Sequence, residues 1–215
     1  MSLGSWITVT NYSCSSLSPG KGEGRDEGEN MDAQRRQLLK LLKEKSFRYS
    51  PDAPFKLASG RLSPYYVDCR PVTHSAQGLA LMGEIIFDLI QDLDVQGVGG
   101  LTMGADPLAH AAALVSWQKG QPIDAFSVRK FTKAHGTGGR VVGPVRPGDR
   151  VVIVEDVITT GGSAREAIEA ARDYGLDVVM VLVLVDRQEG GREAVEALAP
   201  RVETVFTIAQ LKGQD

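Results

Sequence analysis

Cysteine is scarce in this chain of 215 residues, where only Cys14 and Cys69 occur. A disulfide framework is therefore not expected, because small domains held by disulfides carry many more cysteines. The three histidines, His74, His110 and His135, are isolated from one another, and the sequence has no Cys/His cluster. No structural zinc site is predicted, since such sites need clustered Cys and His ligands.

Long apolar runs and a strong excess of one charge are also lacking. The longest unbroken apolar stretch covers residues 178–185, which is too short to cross a bilayer, and no segment has the layout of a signal peptide. The net charge of −3 argues against a mainly electrostatic nucleic-acid binder. We therefore expect a cytoplasmic protein that binds neither membranes nor nucleic acid.

The length and the 42% of hydrophobic residues suit one α/β domain with a sizeable core. Residues 1–30 are rich in serine, glycine and mixed charge, so we expect a disordered extension, to which we assign no function. The predicted domain spans residues 31–215. It opens with a helix for which Asp32 is the expected N-cap.

The stretch VVIVEDVITTGGSA, residues 151–164, begins with four β-branched residues. They predict a short strand buried on both faces, as in the centre of a parallel sheet. Glu155 and Asp156 follow where this strand is expected to end, and open α/β sheets bind ligands at the carboxyl ends of their strands. The pattern predicts a pair of carboxylates in a ligand crevice.

The same stretch continues through small and hydroxyl-bearing residues into a helix predicted at residues 164–174. Glycine N–H groups, hydroxyl donors and a helix N-terminus together suit a bound phosphate. Ser163 and Glu166 form a capping-box pattern, and Gly175 is placed to end the helix. A solvated turn followed by a flexible connection is the alternative interpretation. The candidate anion-binding residues are Thr159, Thr160, Gly161, Gly162 and Ser163.

A cation-rich loop at residues 129–140 follows a strand predicted at residues 123–128. Two lysines, two arginines and a histidine lie among three glycines, so the loop is expected to move and to close over an anionic ligand. A solvated loop is the ordinary explanation of such a charge run. The candidate ligand-binding cations are Arg129, Lys130, Lys133 and His135.

Polar residues also follow the strand predicted at residues 178–185. Arg187 stands there, and an arginine can give paired N–H donors to a planar carboxylate or an imide carbonyl. Earlier in the chain, residues 55–70 predict a small hairpin about a turn at Ser59-Gly60. Its adjacent Tyr65 and Tyr66 fit a packing role within the hairpin.

These motifs resemble the type I phosphoribosyltransferases. Residues 151–164 are similar to their 5-phosphoribosyl-1-diphosphate (PRPP) motif, whose acidic pair faces the ribose hydroxyls and whose loop holds the 5′-phosphate. The pattern Arg-Lys-x-x-Lys-x-His-Gly at residues 129–136 is similar to the catalytic loop of the orotate branch, and residues 55–70 to its hood over the base. The resemblance implies an open, mainly parallel sheet with helices on both faces, plus a small N-terminal hood with a hairpin.

The resemblance covers roughly residues 32–212 and divides the domain into a hood at about 31–72 and a core at about 73–212. For the orotate branch it implies transfer of the phosphoribosyl group from PRPP to orotate, giving orotidine 5′-phosphate and diphosphate in UMP biosynthesis. It further implies Mg²⁺ held mainly through PRPP, without protein metal ligands. A homodimer with shared active sites is implied as well.

The same resemblance assigns roles to the candidate residues. The catalytic residues it implies are Lys133, His135, Glu155 and Asp156. The PRPP-binding residues it implies are Arg129, Lys130, Lys133, His135, Glu155, Asp156, Thr159, Thr160, Gly161, Gly162 and Ser163. The orotate-binding residues it implies are Arg187, Thr159, Tyr65 and Tyr66.

Two alternative functions stay open at this point: another PRPP-dependent enzyme acting on a purine or uracil, and a non-catalytic PRPP-binding regulator. The loop at residues 102–105, before a helix for which Asp106 is the expected N-cap, resembles the diphosphate loop. Some relatives carry a lysine where this chain has Gly104. Either backbone donors do more here or the role of that lysine is met elsewhere.

Overall fold

The computed structural model describes residues 27–56, 60, 62–131 and 139–214. The helices are α1 Glu27–Lys45, α2 Arg70–Thr73, α3 Ala76–Ile90, α4 Asp106–Gln118, α5 Gly162–Asp173, α6 Gly191–Glu196 and α7 Ile208–Leu211. The strands are β1 Phe47–Tyr49, β2 Phe55–Lys56, β3 Leu62–Ser63, β4 Tyr65–Val67, β5 Gly97–Leu101, β6 Asp124–Val128, β7 Val141–Val142, β8 Arg150–Ile158, β9 Asp177–Asp186 and β10 Val202–Thr207.

Six strands form one sheet in the order β10-β9-β8-β5-β6-β7. Every neighbouring pair is parallel except β6 with the short edge strand β7, which is antiparallel. β8 lies in the interior of the sheet, as its β-branched start predicts. The expected open, mainly parallel sheet is confirmed, and the antiparallel edge strand is an addition that the sequence patterns did not indicate.

Helices cover both faces of this sheet, as expected. Side chains of β8 alternate between the two faces: Val152 and Val154 belong to the core under α1, α3 and α4, whereas Val151 and Ile153 belong to the core under α5 and α6. Because each face is covered, the strand is buried along most of its length. Only the strand ends are left for ligand chemistry.

Two predicted helix starts are wrong. α1 begins at Glu27, so Asp32 lies inside it rather than at its N-cap; Met31 packs against the core, which favours the additional turn. α4 has Ala105 as its N-cap. The Asp106 carboxylate instead accepts a hydrogen bond of 2.7 Å from the Ser127 hydroxyl, so it ties α4 to β6.

The capping box predicted for α5 is also wrong. The N-cap is Gly161 in the left-handed conformation, with a φ of 81°, and a glycine has no side chain with which to cap the helix. Glu166 instead accepts a hydrogen bond from Arg140, the last residue of the cation-rich loop, which lies beside this helix. Gly175, with a φ of 96°, ends the helix region as predicted, its N–H bonding to the Arg172 carbonyl.

The N-terminal region contains two small antiparallel pairs. β2 pairs with β3, which confirms the hairpin, although its predicted turn residue Ser59 lies outside the described residues. β4 pairs with β1, a partner distant in sequence that was not predicted. The Tyr65 ring stacks on those of Phe47 and Tyr49 at centroid distances of 5.8 and 5.0 Å. These rings join the two strands into one small layer.

Residues 27–30 form part of α1. The predicted disordered extension therefore does not reach residue 30. Residues 1–26 lie outside the described residues, so disorder there stays a prediction, as does the division into hood and core. Among the described residues, no helix combines the length and the apolar character needed to cross a membrane.

Candidate active site

The acidic pair lies inside β8 rather than after it. Glu155 pairs with Val183, and the ladder continues to Ile158 opposite Asp186. The predicted end of the strand is therefore wrong, because β9 is long enough to pair with β8 beyond the carboxylates. The pair nevertheless lies in the C-terminal half of a central parallel strand, toward the edge where ligands of such sheets bind.

A cavity of about 630 Å³ opens beside this pair. It is bounded by Glu155 and Asp156, by the loop at residues 102–104, by residues 129–131 and by Ser163. The predicted carboxylates, part of the phosphate loop and the start of the cation-rich loop thus meet at one place. Lys133 and His135 lie outside the described residues, so their predicted positions are untested. Arg70 also lines the cavity, and no sequence motif singled it out.

The phosphate loop surrounds an adjoining cavity of about 200 Å³, which shares Glu155 and Ser163 with the larger one. A Cβ atom on Gly161 would lie 2.9 Å from the Gly191 carbonyl oxygen, so only glycine fits both this approach and the left-handed backbone. A Cβ on Gly162 would meet nothing within 4 Å. The N–H groups of the first turn of α5 therefore border open space, where an anion is favourable.

Burial raises the pKa values of both carboxyl groups. Glu155 is only 6% exposed, and desolvation, followed by the charge of Asp156, holds its pKa well above the ordinary value, with Lys130 acting in the opposite direction. Desolvation also raises the pKa of Asp156, although a hydrogen bond from the Val157 N–H opposes it. Glu155 Oε2 is buried without a hydrogen-bond partner among the described residues. Poorly solvated, incompletely paired carboxylates are typical of functional sites.

Gly104 lies directly against this pair. A Cβ atom at that position would stand 2.6 Å from Asp156 Oδ1 and 2.9 Å from its Cγ. Any side chain would therefore displace the carboxylate or the loop. The close approach explains why this loop carries a glycine, and at Gly104 only the backbone faces the cavity.

Arg187 follows β9 and is 7% exposed. Its Nη2 donates to Glu189 Oε1 at 2.8 Å and lies 3.4 Å from both Ser63 Oγ and the Tyr65 carbonyl oxygen. Its Nε is buried with no hydrogen-bond partner among the described residues. The guanidinium thus connects the core to the small N-terminal layer and retains a donor for a ligand.

The two tyrosines contribute mainly through packing and backbone. The Tyr65 ring lies in the aromatic stack, with Lys212 Nζ 3.9 Å from its centroid, and its carbonyl is the group that approaches Arg187. Tyr66 stacks on Phe55 at 5.4 Å. Their packing role is confirmed, and their predicted contact with a base stays a prediction.

Comparison with known proteins agrees with this geometry. The phosphoribosyl transferase domain family matches residues 85–209. Orotate phosphoribosyltransferase of Aquifex aeolicus (strain VF5) is 42% identical over 178 residues, covering 83% of this chain and 97% of that protein. The Streptomyces avermitilis enzyme of the same name is 46% identical over 167 residues, covering 78% of this chain and 90% of that protein.

A solved structure is similar over the same region. Mycobacterium tuberculosis H37Rv orotate phosphoribosyltransferase in complex with PRPP shows a TM-score of 0.68 at 39% identity, covering 83% of this chain and 99% of that chain. The fold, the acidic pair with its phosphate loop, and these identities agree with one another. The chain belongs to the phosphoribosyltransferase family and, within it, to the orotate phosphoribosyltransferases.

Proposed function

We propose that this chain transfers the 5-phosphoribosyl group of PRPP to orotate, giving orotidine 5′-phosphate and diphosphate in UMP biosynthesis. The observation that carries the proposal is the junction of two cavities at Glu155 and Ser163, one inside the phosphate loop and one beside the acidic pair. The M. tuberculosis relative that was crystallised with PRPP is 39% identical to this chain. The two cavities suit the 5′-phosphate and the ribose with its diphosphate.

In this reaction the phosphate loop binds the 5′-phosphate of PRPP. The donors are the hydroxyls of Thr159, Thr160 and Ser163 and the N–H groups at the start of α5, where a helix N-terminus favours negative charge. Gly161 and Gly162 keep the loop surface low enough for close approach. Anchoring a remote, unreactive group in this way holds the ribose in position for the reaction.

The acidic pair acts on the ribose. Glu155 and Asp156 accept hydrogen bonds from the 2′ and 3′ hydroxyls, and their negative charge favours the positive charge that the ring develops as the C1′–O bond breaks. The transition state is stabilised more than the substrate, because that ring charge is absent from PRPP. No covalent nucleophile is required for this chemistry.

The cation-rich loop acts on the departing diphosphate. Arg129 and Lys130 border the cavity, and Lys133 and His135 follow in the same loop. Their charges offset the anion that accumulates on the leaving group. His135 also carries a side chain that can donate a proton to the diphosphate near neutral pH.

We propose Mg²⁺ as the cofactor, bound mainly through PRPP. Among the described residues, no group of three or more Asp, Glu, His or Cys side chains could hold a metal ion. The two buried carboxylates beside the cavity nevertheless fit the coordination preference of Mg²⁺, which binds one or two carboxylates, substrate phosphates and water. When bound, the ion neutralises charge on the diphosphate oxygens.

Arg187 is the proposed ligand of orotate. Its buried Nε without a partner among the described residues suits an additional planar acceptor, and the carboxylate and the imide carbonyls of orotate are such acceptors. Thr159 and the backbone of Tyr65 complete the contacts, with Tyr66 as part of the hood wall. A neutral purine would offer the guanidinium no second anion beside Glu189.

We propose a cytoplasmic homodimer in which the loop at residues 129–140 closes over the partner's site. Exposed apolar side chains at the cavity support this arrangement: Met103 is 68% exposed and Phe131 is 83% exposed. Both line the cavity, and covering them with a second copy would remove apolar surface from water. The same contact would exclude water from the reacting groups.

The proposal is tested by spectrophotometric measurement of orotate consumption with PRPP and Mg²⁺. Orotate should disappear only when PRPP and the divalent ion are both present. Faster turnover of hypoxanthine, adenine or uracil would identify a different base specificity. Binding of PRPP without turnover of any base would identify a regulator instead.

A further inference from the structure

Arg70 is a cation in the cavity wall that the family motifs leave without a role. It is the first residue of α2 and lines the cavity of about 630 Å³ together with Gly104, Lys130 and Asp156. Its side chain is 63% exposed, so the guanidinium is not consumed in core packing. An exposed positive charge therefore lies where a polyanion is to bind.

The backbone of Arg70 is fixed beside the carboxylate pair by its neighbour. Cys69 is fully buried, and its thiol donates to the Asp156 carbonyl oxygen across 3.8 Å. Val72 in the same helix is also fully buried. The start of α2 is thereby attached to β8, and Arg70 and Asp156 line the same cavity.

Asp68 sets the direction of the Arg70 guanidinium. Nε donates to Oδ1 and Nη2 to Oδ2, both at 2.8 Å, and the backbone N–H of Arg70 also donates to Oδ1 at 3.1 Å. This pairing lowers the pKa of Asp68 below its ordinary value. A guanidinium has five N–H donors, of which Asp68 takes two, so three are available to another acceptor.

The cavity needs cations if a diphosphate is to bind beside the two carboxylates. Glu155 and Asp156 repel any phosphate that approaches them, so a diphosphate binds beside them only where cations offset that repulsion. In the described part of the lining, the cations are Arg70, Arg129 and Lys130. Arg70 comes from a different chain segment than the other two and does not depend on closure of the loop at residues 129–140.

We propose that Arg70 binds the diphosphate group of PRPP and of the product, with Asp68 as its positioning residue. This inference rests on the proposed function for the identity of the anion. A planar fork of donors recognises phosphate oxygens more specifically than a point charge does. Arg70 thus contributes a diphosphate contact that is in place before the loop closes.

The test is calorimetric titration with inorganic diphosphate and Mg²⁺, comparing the unsubstituted chain with Arg70→Gln. Loss of hydrogen bonds to a charged group predicts affinity for diphosphate weaker by about tenfold or more. In steady-state assays the KM for PRPP should rise, whereas the KM for orotate should stay within about twofold. Arg192→Gln is the matched control, because Arg192 is also an exposed arginine paired with a carboxylate, Glu196, at 2.7 Å; its diphosphate affinity should not change.

Diphosphate affinity of Arg70→Gln within about twofold of the unsubstituted chain would overturn the proposal. Arg70→Lys keeps a positive charge beside Asp68 and so preserves the fold. It should bind diphosphate roughly threefold to tenfold more weakly, because the planar fork of guanidinium donors is lost. Unchanged affinity there would also overturn it. The titration needs no turnover, so a chain that binds diphosphate through Arg70 yet does not consume orotate refutes the proposed reaction and not this site.

Discussion

The Arg187 guanidinium donates to the Glu189 carboxylate, with Nη2 and Oε1 2.8 Å apart. Their side chains are 6% and 20% exposed, so the pair is poorly solvated and each charge stabilises the other. The group proposed to recognise the substrate carboxylate is therefore already neutralised by a carboxylate of the protein. Binding of orotate at Arg187 then involves competition between two anions for one cation.

This competition predicts that Glu189→Gln binds orotate more tightly, by roughly threefold to tenfold. The substitution removes a like charge beside the incoming carboxylate and leaves Arg187 with a neutral partner until orotate arrives. Loss of the ion pair between Arg187 and Glu189 should also lower the melting temperature of the protein without orotate. Isothermal titration and thermal unfolding measure the two effects.

Glu196→Gln is the control for this variant, because Glu196 pairs with Arg192 in an exposed position. It should change neither orotate affinity nor melting temperature appreciably. Weaker orotate binding by Glu189→Gln would contradict the competition and would mean that Glu189 orients the guanidinium instead.

Arg187→Ala should raise the KM for orotate while leaving the KM for PRPP nearly unchanged. Removing one partner of a buried charged contact costs about 2–5 kcal/mol, and the affected ligand is the base alone. Steady-state kinetics with each substrate varied in turn measures the difference. An equal rise in both KM values would instead show that Arg187 stabilises the fold. In that case thermal unfolding should show a lower melting temperature, because the variant loses the contacts of Arg187 with Ser63 and Tyr65.

Glu155→Gln should stabilise the protein, and increasingly so as the pH rises. Burial raises the pKa of Glu155 in the folded state, whereas the unfolded chain ionises near pH 4.3. Above that pH the folded state holds the Glu155 proton more tightly than the unfolded chain does. The contribution of Glu155 to the free energy of unfolding is therefore fully present below about pH 4.3 and is lost as the pH rises through the pKa of the folded state. The glutamine variant lacks this loss, and its gain in melting temperature should grow as the pH rises above the pKa of an unfolded glutamate.

Glu203→Gln serves as the comparison for that series, since Glu203 is a half-exposed carboxylate paired with Arg201. Its melting temperature should follow that of the unsubstituted chain across the same pH range. A constant difference between Glu155→Gln and the unsubstituted chain at every pH would refute the raised pKa.

Gly104→Ala should lower kcat while leaving the fold intact. The added Cβ would lie 2.6 Å from Asp156 Oδ1, and the end of a side chain moves more readily than the backbone. A displacement of about 1 Å can cost on the order of a hundredfold in rate. Single-turnover kinetics and thermal unfolding separate the two effects; unchanged kcat would show that Asp156 need not hold its observed position.

The shared-site homodimer yields a quantitative test with Lys133→Ala and Asp156→Asn. In a mixed dimer, one site has an intact Asp156 and receives an intact Lys133 loop, while the other site has both defects. Random reassociation makes about half of the dimers mixed, so roughly a quarter of the unsubstituted activity should return. If subunit exchange is verified and no activity appears, each loop serves its own subunit.

The amino-acid sequence by itself determined the central strand and the phosphate loop. Consecutive β-branched residues at 151–154 can be buried only where both faces of a strand are covered, and this requirement is visible in the local pattern. The glycines and hydroxyls at residues 159–163 carry their anion chemistry in their own backbone and side chains. The position of Arg187 after a buried strand follows from the same kind of local pattern.

Tertiary structure decided what depends on partners distant in the chain. β8 continues past the acidic pair because β9 offers hydrogen bonds there. Glu166 forms an ion pair with Arg140 instead of the predicted capping contact. Arg70 enters the cavity because Cys69 bonds to Asp156, 87 residues away. A local pattern records neighbours in the sequence, whereas hydrogen bonds and ion pairs depend on which atoms the folded chain brings within about 3–4 Å.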